Sequence, residues 1–96
     1  MVTINVRFVG SFREATGIES QNYEIERDTV LRKFFQQLIN EFKDNGLKDR
    51  FRKVSENQAN DFLVLINGRE LSACGCLDSE LKDGDEIALI PISHGG

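Results

Sequence analysis

The stretch from Asp83 to Gly96, DGDEIALIPISHGG, places the tightest constraint on what this chain can become. Ile87, Leu89 and Pro91 alternate with Ala88, Ile90 and Ile92, so an extended segment here is apolar on both faces. That pattern belongs to a strand covered on both sides or central in a small sheet. Past Ile92 the sequence runs through Ser93 and His94 into Gly95 and Gly96. Glycine loses more backbone freedom on folding than any other residue, so two of them add nothing to a core. The pattern predicts a rigid body that ends at Ile92 and presents a thin, flexible tail over residues 93–96.

Carboxyl activation is chemistry that suits such a tail. Without Cβ atoms, Gly95 and Gly96 could thread a narrow channel and bring the final carboxylate to the α-phosphate of ATP held by another protein. The resulting acyl-adenylate would be open to a sulfur or amine nucleophile, with positioning and electrostatics supplied by the partner. On these two residues alone the plainer alternative, a frayed end, stands beside it.

A chain of 96 residues makes one domain, 1–96, able to bury about 60–65% of its unfolded surface without disulfides or metal. The net charge of −4 speaks against nucleic acid and for a partner with a basic surface. Between Glu70 and Glu86 six acids face Lys82 alone, a local −5, so the acid gathers on the elements that lead to the tail. No apolar run has the length of a membrane span or the form of a signal peptide. The reading is a cytoplasmic protein that binds neither membrane nor nucleic acid.

Along the chain, Val2, Ile4, Val6 and Phe8 alternate with polar residues as a half-buried strand. Gly10-Ser11 breaks it, Phe12 to Thr16 reads as a one-turn segment, and Gln21 to Arg27 as a second, antiparallel strand. Asp28 or Thr29 is the expected N-cap of the main helix. Val30, Leu31, Phe34, Phe35, Leu38, Ile39 and Phe42 form its apolar stripe, and Asn45-Gly46 its expected stop. Leu47, Phe51 and Val54 predict a short second helix, followed by a polar loop to Asp61. Phe62 to Ile66 reads as a strand, Asn67-Gly68 as a hairpin turn, and Arg69 to Leu71 as the start of a return strand. Asp83-Gly84-Asp85 then turns the chain into the last strand. The class is α+β, a mixed sheet of four to five strands with one main helix on one face, and the first and last strands parallel at its centre.

That order is the ubiquitin-like β-grasp arrangement. Phe12-Arg13-Glu14-Ala15-Thr16-Gly17, Thr29-Val30, Ile66-Asn67-Gly68-Arg69-Glu70 and Asp83 to Pro91 before the glycines closely resemble the small subunit of molybdopterin synthase, the MoaD-like sulfur carriers of the MoaD/ThiS family. The likeness covers most of the chain outside residues 47–60. It implies that an adenylyltransferase resembling ubiquitin-activating enzyme adenylates Gly96 with ATP and magnesium. A cysteine desulfurase or rhodanese-type protein would then supply the sulfur of a thiocarboxylate. The large synthase subunit would receive the tail, and the sulfur would go to a pyranopterin precursor of the molybdenum or tungsten cofactor. Gly96 would carry the chemistry, with Gly95 and His94 giving access and Phe62, Leu65, Ile90, Pro91 and Ile92 at the docking surface. The chain would bind no cofactor or metal and would be no enzyme by itself. Two departures widen the choice of acceptor. Ile92 stands where the family commonly has a second proline, and His94 before the glycines is similar to the ending of the eukaryotic ubiquitin-related modifier that thiolates transfer RNA. Transfer RNA, thiazole and protein lysines are therefore alternative acceptors, and an inert β-grasp interaction module is the rival from another class.

Cys74 and Cys76 supply only two of the four ligands a structural zinc site needs, and a buried or turn-located thiol pair is the expectation. Asp78 to Glu86 matches a calcium loop in composition only, because Ser79 and Leu81 fall where carboxylates belong. His94 could shuttle protons, though a tail histidine is more commonly just solvent-exposed.

Overall fold

The computed structural model describes residues 1–92. The expected tail, with His94, Gly95 and Gly96, lies outside the described residues. β1 (Val2–Phe8) turns Val2, Ile4, Val6 and Phe8 inward and leaves Arg7 exposed. β2 (Ser20–Ile25) runs antiparallel along one edge of it, and β5 (Glu86–Pro91) parallel along the other. β3 (Phe62–Ile66) pairs antiparallel with the far edge of β5, and the two-residue β4 (Arg69–Glu70) closes the order β2-β1-β5-β3-β4. The doubly apolar segment is thus the middle strand. Val6 lies opposite Ile87 and Phe8 opposite Leu89 in one register, Val64 opposite Leu89 in the other.

The inner face of the sheet is covered by α2 (Leu31–Ile39) and α3 (Asn45–Ser55), with Phe12 from the short α1 (Ser11–Thr16) plugging one end. Leu31, Phe34, Phe35 and Leu38 of α2 are buried, as the stripe predicted. The start of α2 differs from the expectation. Asp28 sits at φ 73° and the Thr29 hydroxyl donates back to the Glu26 carbonyl at 2.7 Å, so neither caps the helix and Val30 takes the N-cap position. The cause lies far off in sequence. The Thr29 carbonyl accepts from the Leu81 amide at 2.9 Å, the Leu31 amide donates to the Ser79 carbonyl at 3.1 Å, and Val30 bridges Glu80. A strand-like contact there satisfies one of the orphan amides that a side-chain cap would otherwise serve.

Asn45-Gly46 is a start and not a stop. α2 ends at Ile39, and Asp44 caps α3 by accepting from the Leu47 amide at 3.0 Å. One face of residues 47–54 therefore belongs to the core. Leu47, Phe51 and Val54 are buried, and the Phe51 ring stands 6.1 Å from Phe35 and 5.7 Å from Phe42. The charges of α3 form a solvated face, where Asp49 meets Arg52 at 3.5 Å and Lys53 at 3.4 Å.

The Asn67-Gly68 hairpin forms as expected, with φ 51° and 82° at the two positions that a primed turn needs left-handed. Asn67 also ties this turn to β5. Its side chain donates to Asp85 at 3.0 Å and accepts from the Glu86 amide at 2.9 Å. Arg32 of α2 reaches Asp78 with two bonds, at 2.8 and 3.1 Å, and donates also to the Ser55 carbonyl of α3. Among the described residues no helix is long and apolar enough to cross a membrane.

Replacing Phe51 by Ala is expected to cost about 3–5 kcal/mol, read as a lower urea midpoint at unchanged slope. A solvated, dispensable 47–60 segment would give almost no change. The hydrogen bonds from Arg32 hold the Asp78 carboxyl below its ordinary value. That contribution is therefore present above the unfolded carboxylate range near pH 4 and is lost as pH falls through the lower folded value. The stability difference between wild type and Asp78→Asn should be small, because the pair is exposed to solvent. It should shrink as the urea midpoints are followed into acid.

Candidate functional site

The end of β5 is where the two faces of the sheet and the start of the tail meet. On the inner face Ile87 and Leu89 are fully buried. On the outer face, opposite α2 and α3, the register sets Ile90 beside Leu63 and Ala88 between Arg7 and Leu65. Leu63, Leu65 and Ile90 are each half-buried, and Arg7 is exposed. Side chains in direct register on neighbouring strands stand about 5 Å apart, so these four apolar groups make one patch with a cation at its edge. Leu65 and Ile90, expected at a docking surface, lie on this patch. Leu63, Ala88 and Arg7 were missed, although the alternation along β1, β3 and β5 that put their neighbours inside was already visible.

Phe62 does not belong to the patch. It is 4% exposed and packs edge-on against Phe12, ring centroids 5.0 Å apart. Strand alternation sends it inward with Val64 and Ile66, so the residue expected at a docking surface is a core residue.

Pro91 and Ile92 form the exit. Backbone groups alternate sides along a strand, and the Ile92 amide donates to the Asp61 carbonyl on the β3 side at 3.2 Å. Pro91 therefore faces the β1 side. There the ladder has already closed with the Val9 amide donating to the Leu89 carbonyl at 3.1 Å, and the chain has turned away at Gly10. Proline is tolerated in this central strand because the carbonyl that would come next in the ladder, that of Val9, already accepts from the Phe12 amide at 3.1 Å. Gly10 answers the proline ring. At φ 58°, ψ −125° its backbone favours glycine, and a Cβ there would stand 2.9 Å from Pro91 Cγ. Ile92, 37% exposed, leaves the core.

The acidic run sits at the other end of β5. Asp83 accepts from the Thr3 amide at 2.7 Å, and Asp85 accepts from the Lys82 amide at 2.7 Å as well as from Asn67. These carboxylates build the turn into β5, about 20 Å of strand away from its exit. They lie on the element that leads to residues 93–96, as expected, and their role there is to build the strand's entrance. Cys74 and Cys76 are joined as a disulfide within their turn, where a thiol pair was expected. Among the described residues no group of three or more His, Cys, Asp or Glu side chains could hold a metal ion.

A family model described as the ThiS family matches residues 6–96. Small archaeal modifier protein 3 of Haloferax volcanii is 29% identical over 93 residues, 97% of this chain and 98% of that protein. The solution structure of Urm1 from Trypanosoma brucei superposes with a TM-score of 0.75 at 26% identity, covering 98% of this chain and 95% of that one. A putative molybdopterin converting factor subunit 1 from Pyrococcus furiosus superposes with a TM-score of 0.64 at 23% identity, covering 95% and 98%, a likeness of fold alone. The fold is the ubiquitin-like β-grasp.

Replacing Gly10 by Ala should cost on the order of 1–3 kcal/mol of stability from backbone strain and the clash with Pro91. Amide exchange should quicken first at Ile92 and Val9, whose hydrogen bonds frame the exit. Protection unchanged at both positions would show that Gly10 does not hold it.

Proposed function

The chain belongs to the ThiS family of ubiquitin-like sulfur carriers and modifiers, and from that footing we propose that it is activated through the carboxylate of Gly96. The observation that carries this reading is the exit of β5. A strand paired with β1 as far as Leu89 and held on the β3 side as far as Ile92 ends beside an apolar patch, and the Ser-His-Gly-Gly sequence follows at once. The gripped strand supplies a fixed base. Leu63, Leu65 and Ile90, set around the buried Ala88, with Pro91 and Ile92, supply the surface by which an activating enzyme and later partners hold the body while the glycines enter their active sites.

In the proposed cycle the Gly96 carboxylate attacks the α-phosphorus of ATP in the partner, with magnesium held there, and pyrophosphate leaves. The terminal sulfur of a persulfide from a desulfurase or rhodanese-type donor attacks the acyl carbon and expels AMP. A thiol then cleaves the resulting acyl disulfide and releases the thiocarboxylate. This chain contributes the acyl group and its presentation, and the catalytic groups belong to the partners, so it is no enzyme alone.

Two readings of the acceptor rest on different observations. A pyranopterin on a large synthase subunit follows from the Asp83 to Pro91 motif and has the likeness of fold to the Pyrococcus furiosus protein behind it. Protein lysines or transfer RNA have the sequence relatives behind them, a modifier at 29% identity over nearly its whole length and Urm1 at 26%. His94 before the glycines agrees with the second, and we take it as the better supported.

Intact mass spectrometry of the protein from its own host, with a Gly96 deletion beside it, tests the proposal. A species heavier by the exchange of one oxygen for sulfur, absent from the deletion, is expected, together with conjugates joined through Gly96 if lysines are acceptors. Neither product, with activating enzyme and ATP supplied, would overturn it. Ile90→Ser should keep the circular dichroism of the wild type and lower the adenylation rate at sub-saturating carrier about tenfold or more, the loss of an apolar anchor at an interface.

A further inference from the structure

The cycle above makes no use of Cys74 and Cys76. They lie where α4 (Leu71–Cys74) ends on Gly75, left-handed at φ 61°, and a 3-10 turn over Cys76–Asp78 follows. Their sulfurs are bonded across a single intervening residue. As a staple this bond does little, because a disulfide's chain-entropy contribution shrinks as the loop it closes shortens, and this loop is near the minimum. The segment is also anchored without it. Arg32 grips Asp78 with two bonds, Leu77 is 7% exposed in the core, and the Ser79 carbonyl accepts from the Leu31 amide at 3.1 Å.

Access and asymmetry point to exchange. Both cysteines are only half-buried and flank exposed Gly75, which borders a shallow cleft lined by Arg32, Asn57, Ser72 and Asp78. A Cβ on Gly75 would meet nothing within 4 Å, so the residue between the two half-buried cysteines is uncrowded on that side. Cys74 Sγ lies 3.6 Å from the Leu71 carbonyl oxygen. A disulfide sulfur has no proton to give that oxygen, whereas the reduced thiol does, so the same geometry accommodates the reduced state with one hydrogen bond more. The carbonyl also opposes a negative charge on Cys74. Cys76 packs against the edge of the core, and among the described residues its sulfur makes no such contact, which makes it the better leaving thiolate.

We propose that Cys74-Gly75-Cys76 is a thiol–disulfide exchange site for small thiols, independent of what Gly96 does. A thiolate attacks Cys74 Sγ, a mixed disulfide forms, the Cys74–Cys76 bond breaks, and Cys76 leaves with the electron pair and takes a proton from water. A second thiolate attacks the small molecule's sulfur in the mixed disulfide. Its departure as an oxidised dimer leaves two cysteine thiols, two electrons having passed from two thiols to the protein; the reverse reaction oxidises it. With Arg32 paired to Asp78 and Lys82 to Glu80, the carboxylates of Glu70, Asp83, Asp85 and Glu86 leave an excess of negative charge on the segment from Glu70 to Glu86, which favours a cationic thiol over an anionic one.

The test uses the full chain purified without reductant, equilibrated in cysteamine–cystamine buffers of graded ratio, quenched in acid, alkylated and mapped by mass. A two-electron titration within the accessible range is expected, with the reduced form keeping the circular dichroism of the oxidised one. Cys76→Ser should trap one cysteamine on Cys74. Cysteamine should react several-fold faster than glutathione at low salt, the gap closing as salt screens the carboxylates. A bond that survives excess thiol, a reduction that unfolds the domain, or a Cys76→Ser variant that takes up no cysteamine from cystamine would overturn the proposal. Equal rates for the two thiols at low salt would overturn its choice of substrate.

Discussion

Two ladders of hydrogen bonds hold β5, a parallel one from β1 and an antiparallel one from β3, and the rest of the molecule is arranged to keep both in register. Ile87 and Leu89 can be wholly buried only if the strand's edges are satisfied by neighbours, since an unpaired buried amide or carbonyl costs about as much as a lost hydrogen bond. The entrance is fixed by carboxylates and an amide. Asp83 holds the start of β1 at Thr3, and Asp85 and Asn67 lock the hairpin to the first residue of β5. The exit is fixed by backbone, with Val9 and Asp61 on either side and the Pro91 ring seated over Gly10.

The helical layer depends on a second contact of long sequence range. The pairing of Thr29 to Leu31 with Ser79 to Leu81 sets where α2 begins, and Arg32 on its first turn continues the same tie to Asp78 and to the end of α3. Through this chain of bonds the segment with the cysteines is attached to the core at its far side. Local chemistry at the disulfide can therefore change while the fold that presents the exit of β5 stays in place.

The sheet thereby separates its tasks by end and by face. Polar groups cluster at the entrance of β5, where they build turns, and apolar groups at its exit and outer face, where a partner would find them. The inner face is committed to the core, and it takes Phe62 with it. A surface of three half-buried aliphatic groups around a buried alanine is modest, which would suit transient handling by successive partners better than a permanent assembly.

Most of the fold was legible because period and turn chemistry are local. Alternation along β1 and β5, the helical stripe of α2, and Asn67-Gly68 each carry a physical signature that survives without the tertiary structure, and together they leave few topologies open. The misreadings share one cause. Asn45-Gly46 resembles a helix end until Asp44 is seen capping α3, and Thr29 resembles a cap until Leu81 claims its carbonyl. The direction of Phe62 and the purpose of the acidic run likewise depend on which neighbour each group meets. That a doubly apolar strand lies at the centre and leads toward the glycines follows from composition alone, because only a paired strand tolerates it. Which of its flanking residues stay on the surface and which join the core is settled in three dimensions, because pairing partners distant in sequence choose the face, the cap and the bond.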